Sequence, residues 1–261
     1  MGDVSYVPLI DDMVWSYSRA RSFCDCRYKW YLKYIKGIRG KEMFFSSYGS
    51  FLHRLIEQYC NGTKGKEELI DLYLRDFKNA VPARAPNQKI FQNYFLGGLQ
   101  YLKNMKPFPY NTLSVEKKVS FEIGGIPMIG FIDYLGESDG ELYVVDHKSR
   151  TLRPRSTGIR YTKADQELDE YLTQLYFYSA AVEQEYGKTP RYLCFNCFRS
   201  RTFIREEFDR KAFENAEHWF LSTVSEIRDE TDFRPSIEYF KCKYLCELND
   251  VCEYYELMNR R

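Results

Sequence analysis

Asp139-Gly140 lies between two strand-like runs, at about 126–135 and 141–147, and no other feature constrains the fold of this chain as tightly. Asp and Gly both tolerate the positive φ that a two-residue hairpin turn requires. If they form the turn, residues whose numbers sum to 279 oppose each other, and Asp133 faces Asp146. Opposed residues share a face, with Cβ atoms roughly 5 Å apart. A four-residue turn over 137–140 leaves the two as diagonal neighbours on that same face, and only an odd loop separates them. Lys148 follows Asp146 by two, so the strand's period of two points it the same way.

Two carboxylates and an ammonium on one face can do chemistry that neither does alone. The carboxylates suit a hard divalent cation, Mg²⁺ or Mn²⁺. Such a cation polarises a phosphate and acidifies a water. The lysine can orient that water and offset charge on the phosphate. A plain surface hairpin with paired charges is the alternative, and exposed pairs of that kind contribute little. Val144 and Val145 favour a buried strand, where charges seldom sit without a role.

The rest of the chain reads as one α/β domain over 1–261, its core at about 45–230, with a small mixed sheet flanked by helices. Ser16 or Ser18 caps a helix over about 19–35 that stops at Gly37, and further helices are expected near 46–59, 67–78 and 88–103. Strands follow at 113–123, 126–135 and 141–147, with a turn at Gly124-Gly125. A helix over 165–186 ends at Gly187; strands near 191–198 and 202–208 and a helix over 210–229 precede a cysteine-bearing tail. With 44% hydrophobic residues and no run of about 18 apolar ones, the chain reads as globular rather than membrane-spanning. The start of the sequence has no signal-peptide pattern, so a cytoplasmic location is expected. Lys plus Arg (38) and Asp plus Glu (37) nearly cancel, so only the local charge distribution can point to a nucleic-acid partner.

Gly130-Phe131-Ile132-Asp133, Asp146-His147-Lys148 and Gln174 with Tyr178 four residues later stand in that order. Their spacing resembles the RecB-like branch of the PD-(D/E)xK nuclease superfamily, which includes the CRISPR-associated iron–sulfur exonucleases and AddB-type nuclease domains. The branch carries G-x-I-D, D-x-K and Q-x-x-x-Y. The resemblance implies a restriction-endonuclease-like core and a metal-dependent DNA nuclease, an exonuclease on single-stranded ends. It further implies that Asp133, Asp146, Lys148 and Gln174 are catalytic. His53, in Gly49-Ser50-Phe51-Leu52-His53, matches the G-x-x-x-H helix whose histidine binds metal in these nucleases. Read alone, a single helical histidine is more often structural. The metal ligands implied are His53, Asp133, Asp146 and the backbone carbonyl of His147; an imidazole in the set favours Mn²⁺ over Mg²⁺ modestly.

Positive charge is concentrated locally. The segment 148–163 carries Lys148, Arg150, Arg153, Arg155, Arg160 and Lys163 without an acid, and 16–41 carries eight Lys or Arg against Asp25 alone. Either stretch could hold a phosphate backbone, and either is also compatible with a solvated loop or helix face. Arg150, Arg153, Arg155 and Tyr178 are the DNA-binding candidates.

Eight cysteines are present. Cys242, Cys246 and Cys252 fall within eleven residues, but three thiolates do not complete a four-coordinate centre. Phe23-Cys24-Asp25-Cys26 resembles the family's F-x-x-C segment, and the resemblance implies a [4Fe–4S] cluster on Cys26, Cys242, Cys246 and Cys252 that ties helical extensions at about 16–41 and 240–255 together. The family has C-x2-C where this chain has C-x3-C, and proline where Arg27 stands, which leaves Zn²⁺ and Cys24 as alternatives. Cys194 and Cys197 sit in an apparent strand, where i and i+3 face opposite sides, so burial is expected of them as of Cys60. Gly37-Ile38-Arg39-Gly40-Lys41 and Gly62-Thr63-Lys64-Gly65-Lys66 lack phosphate-loop spacing, so no ATP motor is expected. A helicase, a recombination complex or a CRISPR adaptation complex is the partner that relatives imply, and a homo-oligomer is open. The competing readings are a non-catalytic DNA-binding or scaffold protein that keeps the fold, and an RNA-processing nuclease.

Overall fold

The computed structural model describes residues 6–259. Six helical segments come first: α1 (Val7–Asp11), α2 (Tyr17–Asp25), α3 (Arg27–Trp30), α4 (Phe44–Cys60), α5 (Lys66–Ala80) and α6 (Gln88–Asn104). A meander of β1 (Asn111–Ile123), β2 (Ile126–Ser138) and β3 (Glu141–Lys148) follows. Then come α7 (Lys163–Tyr186), β4 (Tyr192–Cys197), β5 (Thr202–Glu207), α8 (Arg210–Asp229), α9 (Tyr239–Tyr244) and α10 (Glu253–Asn259). The sheet order is β1-β2-β3-β4-β5. All neighbours are antiparallel except β3 and β4, which the α7 crossover makes parallel. The expected mixed sheet flanked by helices is therefore what forms.

Turn chemistry sets both hairpins. Asp139 and Gly140 take φ of 53° and 75°, and β2 pairs β3 with residue numbers summing to 279, from Ser138↔Glu141 to Tyr134↔Val145. The two-residue turn is the one adopted. Gly124 and Gly125 (φ 57° and 77°) turn β1 into β2 in the same manner. Thr162 and Asp165 form a reciprocal cap that starts α7, and Gly187 (φ 65°) ends it.

One face of the sheet packs on α7 and α8 through Leu142, Val144, Leu168, Leu175, Phe177 and Phe220. The N-terminal segments join this core. Trp15 exchanges backbone hydrogen bonds with Pro127 (2.8 Å) and Ile129 (2.7 Å) on β2, and Trp30 stacks on Phe233. Helices α4–α6 build a second core around Tyr48, Phe51, Tyr73, Phe77 and Phe198. Cys194 and Cys197 are buried on opposite sides of β4, in different cores. Among the described residues no helix is long and apolar enough to cross a membrane.

The helix expected over 19–35 is interrupted. Cys26 leaves it in an extended conformation (φ −165°, ψ 109°), α3 restarts at Arg27, and Tyr31–Ile35 finishes as a wider π turn. No residue between 19 and 35 is a helix breaker, so local propensity offers no reason for the break.

Candidate active site

The β2–β3 ladder stops one step short of Asp133↔Asp146. There the backbone N–H of His147 donates instead to Asp133 Oδ2 at 2.7 Å, so a side-chain carboxylate replaces the next ladder acceptor. The strands part, while β3 continues beside β4 as far as Lys148↔Cys197. Asp133 (7% exposed) and Asp146 (3%) are both buried at this fork. Burial first, and the neighbouring Asp146 next, push the Asp133 carboxyl well above the ordinary carboxylate range; His53 and the His147 amide pull against them.

Lys148 is fixed on the α7 side. Its Nζ lies 2.8 Å from Asp146 Oδ2 and donates to Gln174 Oε1 at 2.7 Å. Gln174 Nε2 in turn donates to Tyr178 Oη at 2.8 Å. The i, i+4 spacing puts both residues on the helix face that meets the sheet. Gly130 makes room for them, since a Cβ there would stand 2.9 Å from Tyr178 Cε1. Tyr178 is itself buried, so it reaches Gln174 and not open solvent. Asp146 Oδ2 is shielded from solvent and makes no well-formed hydrogen bond.

His53 enters from α4. Its Nε2 is 2.7 Å from the His147 carbonyl, and its Nδ1 lies 3.5 Å from Asp133 Oδ2 and 3.8 Å from Glu116 Oε1. Burial alone would lower its pKa, but the Glu116 hydrogen bond, the two aspartates and the His147 carbonyl outweigh burial and hold it above the ordinary value. The His147 side chain points to the opposite face, where Asn196 Nδ2 reaches its Nδ1 at 3.2 Å and also donates to Tyr101 Oη at 2.6 Å. Burial lowers the His147 pKa well below the ordinary value, so the ring is neutral and only the backbone of His147 faces the fork.

Glu116 escaped the sequence reading. It sits in β1 with φ of 48°, and His53, Glu116 and Asp133 each offer a ligand atom within 4.8 Å of the other two. A signal existed. The turn Gly124-Gly125 opposes residues summing to 249, as Val115↔Tyr134 and Lys117↔Ile132 show, and that sum sets Glu116 against Asp133. Carboxylates, a backbone carbonyl and one imidazole form an oxygen-rich donor set that fits Mg²⁺ or Mn²⁺.

The basic segment after Lys148 is held down at several points. Asp165, buried at the start of α7, accepts from the backbone N–H and hydroxyl of both Ser156 and Thr162, which keep its carboxyl well below the usual range. Arg155 bridges Asp169 (2.7 Å) and Glu206 (2.8 Å). Arg150 pairs with Glu167 and lies over the Tyr171 ring, which Lys148 also faces. Arg153 is exposed.

Cys26, Cys242, Cys246 and Cys252 line one cavity, walled also by Leu32, Leu248 and Tyr254. Cys24 is exposed and does not line this cavity. The break after α2 is what turns Cys26 inward. Glu247 docks the tail by pairing with Lys29 (2.8 Å) and Lys33 (3.0 Å) on the N-terminal segment. Four thiols around one space are a donor set for a zinc ion or an iron–sulfur cluster.

Thirty-one solved chains match this fold. One is an exonuclease candidate from Eubacterium rectale, 13% identical, with a TM-score of 0.55 over 98% of this chain and 92% of that one. Another, the protein SSO0001, is 16% identical with a TM-score of 0.32 over 79% of this chain and 95% of that one. No curated protein matches by sequence. The profile of the PD-(D/E)XK nuclease superfamily matches residues 14–253. With nearly the whole sequence matched, the chain belongs to the PD-(D/E)XK nuclease superfamily.

Proposed function

We propose that this nuclease hydrolyses phosphodiester bonds in DNA, as an exonuclease on single-stranded ends, with Mg²⁺ or Mn²⁺ held by Asp133, Asp146, His53 and the His147 carbonyl. The observation that carries the reading is the convergence of two buried aspartates, one imidazole and a fixed lysine where β2 and β3 part. Such a cation polarises the scissile phosphate and acidifies a water. The Lys148 ammonium donates one hydrogen bond to Gln174 and pairs with Asp146 as an ion, which holds it beside the fork with donor capacity left for the attacking water or a phosphate oxygen. Gln174 holds the lysine, and Tyr178 holds Gln174. Arg150 and Arg153 contact the DNA backbone beside the fork, whereas Arg155 anchors the loop through its two acids.

The cysteine ring carries a [4Fe–4S] cluster in this reading, which closes the N- and C-terminal extensions around the core. Iron and sulfide in equal amounts and a broad visible absorbance, after anaerobic reconstitution, support it; stoichiometric zinc without iron overturns it.

End-labelled single- and double-stranded DNA and RNA, incubated with Mg²⁺ or Mn²⁺, test the activity. Cleavage of single-stranded DNA from an end by wild type, lost in Asp146→Ala, is the expected result. Cleavage that survives the substitution refutes the site. RNA cleavage alone selects the RNA-processing alternative, and DNA binding with no cleavage by metal-loaded, cluster-replete protein selects the binding module.

A further inference from the structure

We propose that Glu116 is a further ligand of the divalent cation, completing a position shared with His53 and Asp133; the proposal rests on the metal-dependent reading above. A carbonyl only accepts hydrogen bonds, so His53 Nε2, 2.7 Å from the His147 carbonyl, is the donor there. The other ring nitrogen, Nδ1, faces Asp133 Oδ2 at 3.5 Å and Glu116 Oε1 at 3.8 Å. One imidazole nitrogen and two carboxylate oxygens, all within 4.8 Å of one another, converge on one point, and these are ligand types a divalent cation prefers.

The backbone supports the same assignment. Glu116 holds φ of 48° in the interior of β1, a conformation that non-glycine residues seldom take and that costs on the order of 1 kcal/mol or more. The β1–β2 ladder pairs Val115 with Tyr134 and Lys117 with Ile132, and skips Glu116 and Asp133 between them. The strain thus falls opposite the buried aspartate and beside the His53 ring. Half-buried, the Glu116 carboxylate is accessible from the fork and is not needed to fill a core.

Mn²⁺ binding by the full chain, followed by the electron paramagnetic resonance of the free ion, tests this without reference to turnover. Glu116→Gln is isosteric and keeps the strained backbone; Glu116→Gly removes both the carboxylate and the strain. Both variants should bind Mn²⁺ at least about tenfold more weakly than wild type. Without Mn²⁺, Glu116→Gly should unfold at a temperature no lower than wild type, which separates lost affinity from lost fold. A residue that merely orients His53 would add nothing once the imidazole is gone. The double variant His53→Ala/Glu116→Gln should therefore bind still more weakly than His53→Ala alone. Affinities of both single variants within about twofold of wild type, or no further loss in the double variant, overturn the proposal. Wild type that binds no Mn²⁺ at all overturns the metal-dependent reading along with it.

Discussion

Gly130→Ala is the smallest change that reaches the site without touching a charged group. The new methyl would stand 2.9 Å from Tyr178 Cε1, 3.5 Å from Cδ1 and 3.6 Å from Val119 Cγ2. Carbon atoms rest at about 3.5–4.0 Å, so the ring must retreat by about 0.6–1 Å. Tyr178 is 9% exposed and has no free space to take up. Its hydroxyl moves with the ring, which stretches the 2.8 Å bond from Gln174 towards or beyond the ~3.5 Å at which a hydrogen bond is lost. Overpacking of this kind costs about 1–3 kcal/mol, and the broken bond about 1 more. The melting temperature should fall by roughly 4–16 °C, at about 2–4 °C per kcal/mol. Gln174 loses its anchor and loosens its hold on Lys148, so the turnover rate on single-stranded DNA should drop by roughly 10–100-fold with little change in KM. Thermal unfolding and steady-state cleavage, measured in the wild-type and Tyr178→Leu backgrounds, decide the matter. The leucine side chain lacks the struck ring atom, so the alanine should be nearly free of cost in that background. An equal cost in both backgrounds, or less than about 0.5 kcal/mol in the first, refutes the steric argument.

Lys148→Met should lower turnover by about 10²–10⁴-fold, and Lys148→Arg should fail to restore it, because a planar guanidinium cannot fit the ammonium's contacts to Asp146 and Gln174. Cleavage near wild-type rates by the arginine variant would contradict this. Mn²⁺ binding should release protons near neutral pH, since Asp133 and His53 are both held above their ordinary pKa values and must deprotonate to act as ligands. Affinity should therefore rise with pH and level off above the two pKa values; calorimetry in buffers of different ionisation enthalpy measures the release, and none at all would count against those assignments. The Asp165 carboxyl has a depressed folded pKa, so its stabilisation is present above the unfolded value of about 3.9 and is lost as pH falls through the folded one. Asp165→Asn should free the 149–162 loop at neutral pH and speed tryptic cleavage after Arg155 and Arg160; unchanged cleavage would show that the loop is held elsewhere.

The features legible in the sequence are those fixed by neighbours along the chain. Asp139-Gly140 alone places Asp133 against Asp146, and i, i+4 spacing alone places Tyr178 beside Gln174. Glu116 obeys the same arithmetic but is hidden, because β1 carries a register shift between Thr112 and Ser114 and a positive φ at Glu116, and its alternation becomes regular only towards its end. The helix break at Cys26 and the capture of Arg155 by Glu206 depend on partners far away in sequence, so no local pattern announces them.

The fork also makes the two aspartates unequal in a way that alternation does not reveal. Asp133 Oδ2 accepts the His147 N–H that the next ladder step would otherwise have paired. Replacing Asp133 by alanine would leave a buried amide unsatisfied, at a cost of about 1–3 kcal/mol, in addition to removing a ligand. Asp146 contributes nothing to the ladder through its side chain, and the Lys148 ammonium is the group it holds. An inactive Asp133→Ala protein would therefore confound a damaged strand junction with a missing ligand. Asp133→Asn, whose amide oxygen can still accept from His147, and Asp146→Ala are the substitutions that separate the chemistry of the site from the structure that opens it.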